Sequence, residues 1–132
     1  MAQQRQLNGP QRILVVDDEA SILRLVTAVL GSSGYDVDGA EDGAVAWQAL
    51  RAERYDLLIT DNSMPNVSGV ELIKKVRAAR IVLPIIMASG NLPTHELSLE
   101  IAATLLKPFA IKALLNAVKE VLCNAVPTIG SS

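Results

Sequence analysis

Four short apolar runs, each closed by a residue able to do ionic or reactive chemistry, constrain this chain more than any other feature. Ile13-Leu14-Val15-Val16 ends on Asp17-Asp18, and Leu57-Leu58-Ile59-Thr60 ends on Asp61. Ile85-Ile86-Met87-Ala88 ends on Ser89, and Leu105-Leu106 ends on Lys107-Pro108. Runs this short read as strand ends, and the unbroken Ile13–Val16 as a strand buried on both faces. If the strands are parallel, their C-terminal ends share one rim, where open α/β sheets place their sites. Three carboxylates, a hydroxyl and an ammonium then face one another. Such a set suits a divalent cation together with a phosphoryl group.

Between the runs the apolar residues recur at helical spacing. Ile22, Leu25, Val26, Val29 and Leu30 form one stripe, with Gly31 and Gly34 expected to stop it. Ile111, Leu114, Leu115, Val118, Val121 and Leu122 form the clearest stripe. The pattern predicts strands over 13–16, 35–40 (more exposed), 56–60, 84–88 and 104–106. It predicts helices over 22–30, 44–51, 70–77, 94–103 and 111–122. Five β/α repeats indicate a doubly wound parallel sheet with right-handed crossovers. The flavodoxin-like order 2-1-3-4-5 fits, because strands one and three would flank its switch point and both carry the acidic residues.

A chain of 132 residues, half of them hydrophobic, suits one domain. That domain is expected over 12–124, with a disordered tail over 1–11 and a flexible one over 125–132. Net charge is −2, so the chain as a whole makes no case for nucleic-acid binding. Cys123 is the only cysteine, which rules out an internal disulfide. No apolar stretch reaches the roughly 20 residues of a membrane span, and residues 1–11 lack the apolar centre of a secretory signal. A cytoplasmic location is expected by default. Residues 125–132 are too few for an output domain, so the chain reads as a stand-alone relay or as part of a larger regulator or hybrid kinase.

Each motif alone has an ordinary explanation. Asp17 or Asp18 could cap the next helix, worth about 1 kcal/mol. Asp61 alone reads as a turn residue, and Ser89-Gly90-Asn91 as a loop start. Lys107 alone reads as a solvated lysine. His95, the sole histidine, reads as a surface residue, Trp47 as packing, and Cys123 as a small apolar filler. Joint placement on one rim is what turns the set into a site.

Taken in order, the motifs resemble the receiver domain of two-component response regulators. The resemblance spans 12–124 and rests on Asp17-Asp18-Glu19, Asp61-Asn62-Ser63-Met64-Pro65 with Gly69, Ile86-Met87-Ala88-Ser89-Gly90, and Lys107-Pro108-Phe109. It implies that Asp61 accepts a phosphoryl group from a partner phosphohistidine on a histidine kinase or histidine phosphotransfer protein. It implies Mg²⁺ bound by Asp17, Asp18, Asp61 and the Ser63 backbone carbonyl. It implies phosphate contacts from Lys107 and Ser89, a cis Lys107-Pro108 bond, and an unidentified downstream protein target. Two departures stand out. Thr104 occupies the position where the family usually has an aromatic switch residue, and the span from Ser89 to Lys107 is short. A short or irregular fourth helix follows, and the segment 90–103 is expected to carry the output signal instead.

Other classes fit less well. A haloacid-dehalogenase phosphatase needs a second aspartate two positions after the nucleophile, where this chain has Ser63. A dinucleotide-binding domain needs a glycine-rich first turn, which here reads Asp-Asp-Glu-Ala-Ser. A pseudo-receiver that only binds partners is the remaining alternative, left open by Thr104.

Overall fold

A computed structural model describes residues 9–64, 66–90 and 101–125. Its strands are β1 (Arg12–Val16), β2 (Asp36–Ala40), β3 (Leu57–Asp61), β4 (Ile85–Ser89) and β5 (Ala103–Leu106). Its helices are α1 (Ala20–Ser32), α2 (Gly43–Ala52), α3 (Gly69–Ala78) and α4 (Ile111–Ala125). The five strands form one sheet in the order β2-β1-β3-β4-β5, every pairing parallel. This is the flavodoxin-like doubly wound architecture expected from the sequence.

The period-2 alternation of a strand sorts the sheet's side chains between two cores. Ile13, Val15, Leu57, Ile59, Ile86 and Ala88 face one way, against Leu23, Val26 and Leu30 of α1 and Leu114 and Val118 of α4. Leu14, Val16, Leu58, Ile85 and Met87 face the other way, against Ala46 and Leu50 of α2 and Leu72, Ile73 and Val76 of α3. Central strands β3 and β4 are buried at every position, which is why they read as continuous apolar runs. Edge strand β2 is half exposed and carries Asp36 and Asp38.

Local chemistry sets the helix ends. Asp42 caps α2 by accepting the Val45 N–H at 2.9 Å. Ser68 and Glu71 form a reciprocal capping box at the start of α3. The helix α1 runs through Gly31 to Ser32, and the chain turns at Gly34, whose φ of +100° lies in the left-handed region. Gly31 was expected as a stop. A single glycine inside a packed helix costs only about 1 kcal/mol, and the apolar face of α1 outweighs it.

Three further expectations are corrected. Ala103 starts β5 rather than ending a helix, because it pairs with Ile86. Cys123 is exposed, since its neighbours Val121 and Leu122 take the buried face of α4. Gln11 belongs to the fold, its carbonyl accepting the Asp36 N–H at 2.9 Å. The body of the expected fourth helix, with His95, lies outside the described residues, as do residues 1–8 and 126–132. Trp47 packs against the second core as expected.

Leu72 is fully buried between α3 and the sheet. We expect Leu72→Ala to cost about 2–5 kcal/mol in urea unfolding with an unchanged m-value. A loss below about 1 kcal/mol would mean that this core is loosely packed.

Candidate functional site

Register brings the acidic residues together. Val16 pairs with Thr60, so continuing β1 and β3 by one residue sets Asp17 beside Asp61. Both occupy the alternation that faces α1 and α4. Asp17 stays anchored to the sheet, its N–H donating to the Ala40 carbonyl at 3.1 Å. Asp17 and Asp61 are 4 % and 6 % exposed, whereas Asp18 is exposed. One carboxylate oxygen from each of the three lies within 4.8 Å of the other two.

Lys107 reaches this cluster from beyond β5. Its Nζ lies 2.7 Å from Asp17 Oδ2, 3.4 Å from Asp61 Oδ2 and 3.8 Å from Glu19 Oε1. Its backbone N–H donates to the Ser89 carbonyl at 3.0 Å, which ties the lysine to the end of β4. Ser89 itself is 1 % exposed. The Lys107-Pro108 bond is cis, as expected. The sixth expected member, Ser63, is exposed in the loop two residues past Asp61.

Unit charges within 4.8 Å of one another repel by at least about 3 kcal/mol at an effective dielectric constant of ~20. Burial pushes the Asp61 carboxyl up from its ordinary value, and the Asp17 charge adds to that rise against the opposing pull of Lys107. Burial also disfavours charge on Lys107, but its hydrogen bond to Asp17 and the charges of Asp17 and Asp61 outweigh it, so its pKa is raised. One ammonium therefore stays charged among carboxylates that it only partly neutralises. Clustered carboxylate oxygens are the donor set that a hard divalent cation takes, so this cluster can hold one.

The capping alternative is partly present. Asp17 Oδ1 accepts the Glu19 N–H at 2.9 Å, just before α1, while Glu19 occupies the cap position without a side-chain bond. The two roles coexist, because Oδ2 of the same group meets Lys107.

Asn62 and Gly69 belong to the motif quoted from the sequence, but their structural roles, and that of Thr60, escaped it. Asn62 clamps the loop after β3: its side-chain oxygen accepts the Val70 N–H at 3.1 Å and its carbonyl accepts the Gly69 N–H at 2.9 Å. Thr60, fully buried, donates its hydroxyl to the Asp61 carbonyl at 2.9 Å. A Cβ on Gly69 would lie 2.4 Å from the Asp61 carbonyl oxygen and 2.8 Å from Asn62 Cα, so the start of α3 can approach Asp61 only as glycine. The Ser68-x-x-Glu71 capping-box pattern is the signal in the sequence that could have marked that helix start. Nothing local in the sequence marked Asn62 as a clamp. Thr104 is exposed on β5, opposite Met87.

The fold and rim define a doubly wound sheet with an acidic, lysine-bridged cluster at its switch point. The family model described as response regulator receiver domain matches residues 13–119, and the chain belongs to that family, which serves two-component signalling. It is 36% identical over 116 residues to the alkaline phosphatase synthesis transcriptional regulatory protein PhoP of Bacillus subtilis, covering 85% of this chain and 48% of that protein. It is 39% identical over 106 residues to the sensor protein EvgS of Escherichia coli K12, covering 77% of this chain and 9% of that protein. The chain thus spans about half of the first relative and a small part of the second. Among solved structures, the CheY-like receiver domain protein from Methanospirillum hungatei superposes with a TM-score of 0.83 at 28% identity, covering 88% of this chain and 96% of that one. Among the described residues no helix is long and apolar enough to cross a membrane.

Gly69→Ala is expected to cost about 1–3 kcal/mol, because both atoms it meets are backbone. Chemical unfolding measures it, and a neutral effect would mean that the loop yields freely.

The raised pKa of Asp61 has a definite sign. Unfolded Asp61 ionises near 3.8 and folded Asp61 only at higher pH, so the metal-free wild type loses stability as pH climbs between the two values. Asp61→Asn removes that loss. Its stability advantage over wild type, measured in EDTA, is expected to be full above the folded pKa, to shrink as pH falls from there toward 3.8, and to be lost below that. An advantage that does not vary with pH would overturn this.

Proposed function

We propose that this chain is a phosphoacceptor receiver, in which Asp61 takes a phosphoryl group from a phosphohistidine on a histidine kinase or histidine phosphotransfer protein. The observation that carries this is Lys107 Nζ held at 2.7 Å from Asp17 and 3.4 Å from Asp61 on one rim. A carboxylate oxygen of Asp61 attacks phosphorus, the phosphorus–nitrogen bond breaks, and the donor imidazole leaves with a proton from solvent. Ionised Asp61 has no proton to lose, so no general base is required. Lys107 supplies a positive charge to the transferring oxygens, and Ser89 a hydroxyl donor.

Asp17, Asp18, Asp61 and the Ser63 backbone carbonyl would hold Mg²⁺, which suits hard oxygen donors and neutralises phosphoryl charge when bound. The chain is no enzyme in the ordinary sense, because the acceptor is its own side chain. A downstream protein target, rather than a substrate, reads out the modification. PhoP is named as a transcriptional regulator, and that property belongs to the whole of PhoP.

Acetyl phosphate with Mg²⁺ is expected to label wild type on Asp61, as mapped by mass spectrometry. Asp61→Asn and Asp18→Ala are expected to stay unlabelled while folding normally. An adduct on another residue, or full labelling in EDTA, would overturn the assignment.

Output is proposed to run through the segment 90–103, of which residues 91–100 lie outside the described set. Exposed Thr104 has no ring to rotate into a buried space. Amide exchange with and without beryllofluoride is expected to change there. Changes confined to other segments would overturn it.

A further inference from the structure

We propose that the opposite rim of the sheet carries a second binding site, for a small organic phosphate of about nucleotide size. The chain turns there into the N-terminal ends of β3 and β4. An open cavity of about 470 Å³ lies between those turns, within the size range of small-ligand pockets. Arg51, Arg54 and Arg80 line it together with an apolar wall that includes Ile81 and Val82.

The three arginines outnumber the acid beside them. The one acidic side chain in the lining, Glu53, meets Arg12 at 2.6 Å in a cluster with Asp36 and Asp38, so it offsets at most one of the three charges. Among the described residues, Arg51, Arg54 and Arg80 have no carboxylate at ion-pair distance. Arg51 leans over the Trp47 ring instead, at 5.4 Å. In a chain of net charge −2, three unpaired guanidiniums on one cavity make a local positive field.

Arg80 adds a second observation. The chain leaves α3 through a left-handed turn in which the Arg80 N–H donates to the Arg77 carbonyl at 3.0 Å and the Ile81 N–H to the Val76 carbonyl at 3.1 Å. Glycine is the favoured residue at the left-handed position of such a turn. Arg80 occupies it with φ of +61°, a strained choice for a residue with a Cβ. Strain kept where the side chain lines a cavity points to a use for that side chain. Val82, beside it, is 94 % exposed, more than any other large apolar residue described.

Planar guanidinium forks match phosphate oxygens in pairs. One di- or triphosphate concentrates enough charge to meet three of them within one small cavity. Carboxylates along an acidic peptide are spread over roughly 3.3–3.6 Å per residue and would reach past it. The exposed apolar wall suits the organic part of the ligand. Five residues of β3, roughly 17 Å, separate this cavity from the acidic cluster, so the site stands or falls independently of the phosphoacceptor role.

The test titrates the full chain with ADP in EDTA, following calorimetry and the fluorescence of Trp47, the only tryptophan, one helical turn from Arg51. Saturable one-to-one binding, displaced by pyrophosphate, is expected. Arg80→Gly and the double variant Arg51→Ala, Arg54→Ala are each expected to weaken it by at least about tenfold. Arg80→Gly should melt no lower than wild type, since glycine relieves the turn, and should keep acetyl-phosphate labelling. Asp61→Asn should bind ADP normally. Absence of saturable ADP binding overturns the proposal, as does unchanged affinity in the arginine variants. Loss of binding in Asp61→Asn would move the ligand to the acidic rim. Pyrophosphate binding without ADP binding, or tighter binding of hexa-aspartate than of ADP, would also overturn it.

Discussion

Everything at the acidic rim depends on one ammonium group placed between two buried carboxylates. Asp17 and Asp61 sit side by side because β1 and β3 are neighbours in register, and backbone N–H groups, Glu19 onto Asp17 and Asn62 onto Asp61, relieve their charge only in part. Lys107 relieves it partly, from the far side of the sheet. Its backbone is fastened to the end of β4 through the Ser89 carbonyl, so its side chain can reach back past β4 to β3 and β1. Removing the lysine would leave two buried charges facing each other, a state proteins escape by protonation or by taking up a cation. The same charge imbalance suits the rim to a positive ion and a dianionic group.

The rest of the fold serves that juxtaposition. The two apolar cores pack β1, β3 and β4 on both faces up to the strand ends that carry the site. Gly69 lets α3 start against the Asp61 backbone, and Asn62 pins the intervening loop at two points. Asp61 therefore projects from a strand end whose backbone is held on both sides by parallel partners and from above by a helix.

The sequence made the sheet legible because both-face burial writes itself as unbroken apolar runs, and the strand order followed from where the acids fell. The rim was legible for a related reason: Asp17, Asp61 and Ser89 each close such a run, and Lys107 follows the apolar pair of the half-exposed edge strand β5. Asn62 was not legible, since an asparagine after an acidic residue reads as any turn. Cys123 misled because its position on α4 relative to Val121 and Leu122 depends on the angle at which the helix docks. Gly31 misled because helix propensity is weaker than the burial of Leu23, Val26 and Leu30. The link from Lys107 to Ser89 joins residues distant in sequence, and only the strand pairing of β4 with β5 reveals it.

The charges on β2 have a consequence for the molecule among its own kind. A sheet with an open edge invites another strand to add to it. Here Asp36 and Asp38 occupy that edge, and Arg12 gathers both at 3.5 and 2.7 Å, while Tyr55 donates its hydroxyl to Asp38 at 2.7 Å. A strand arriving from a second molecule would have to settle against carboxylates already committed to Arg12, break those pairs and strip their water. The β2 edge is thereby guarded by charge, and a second strand should not add there until those aspartates are neutralised.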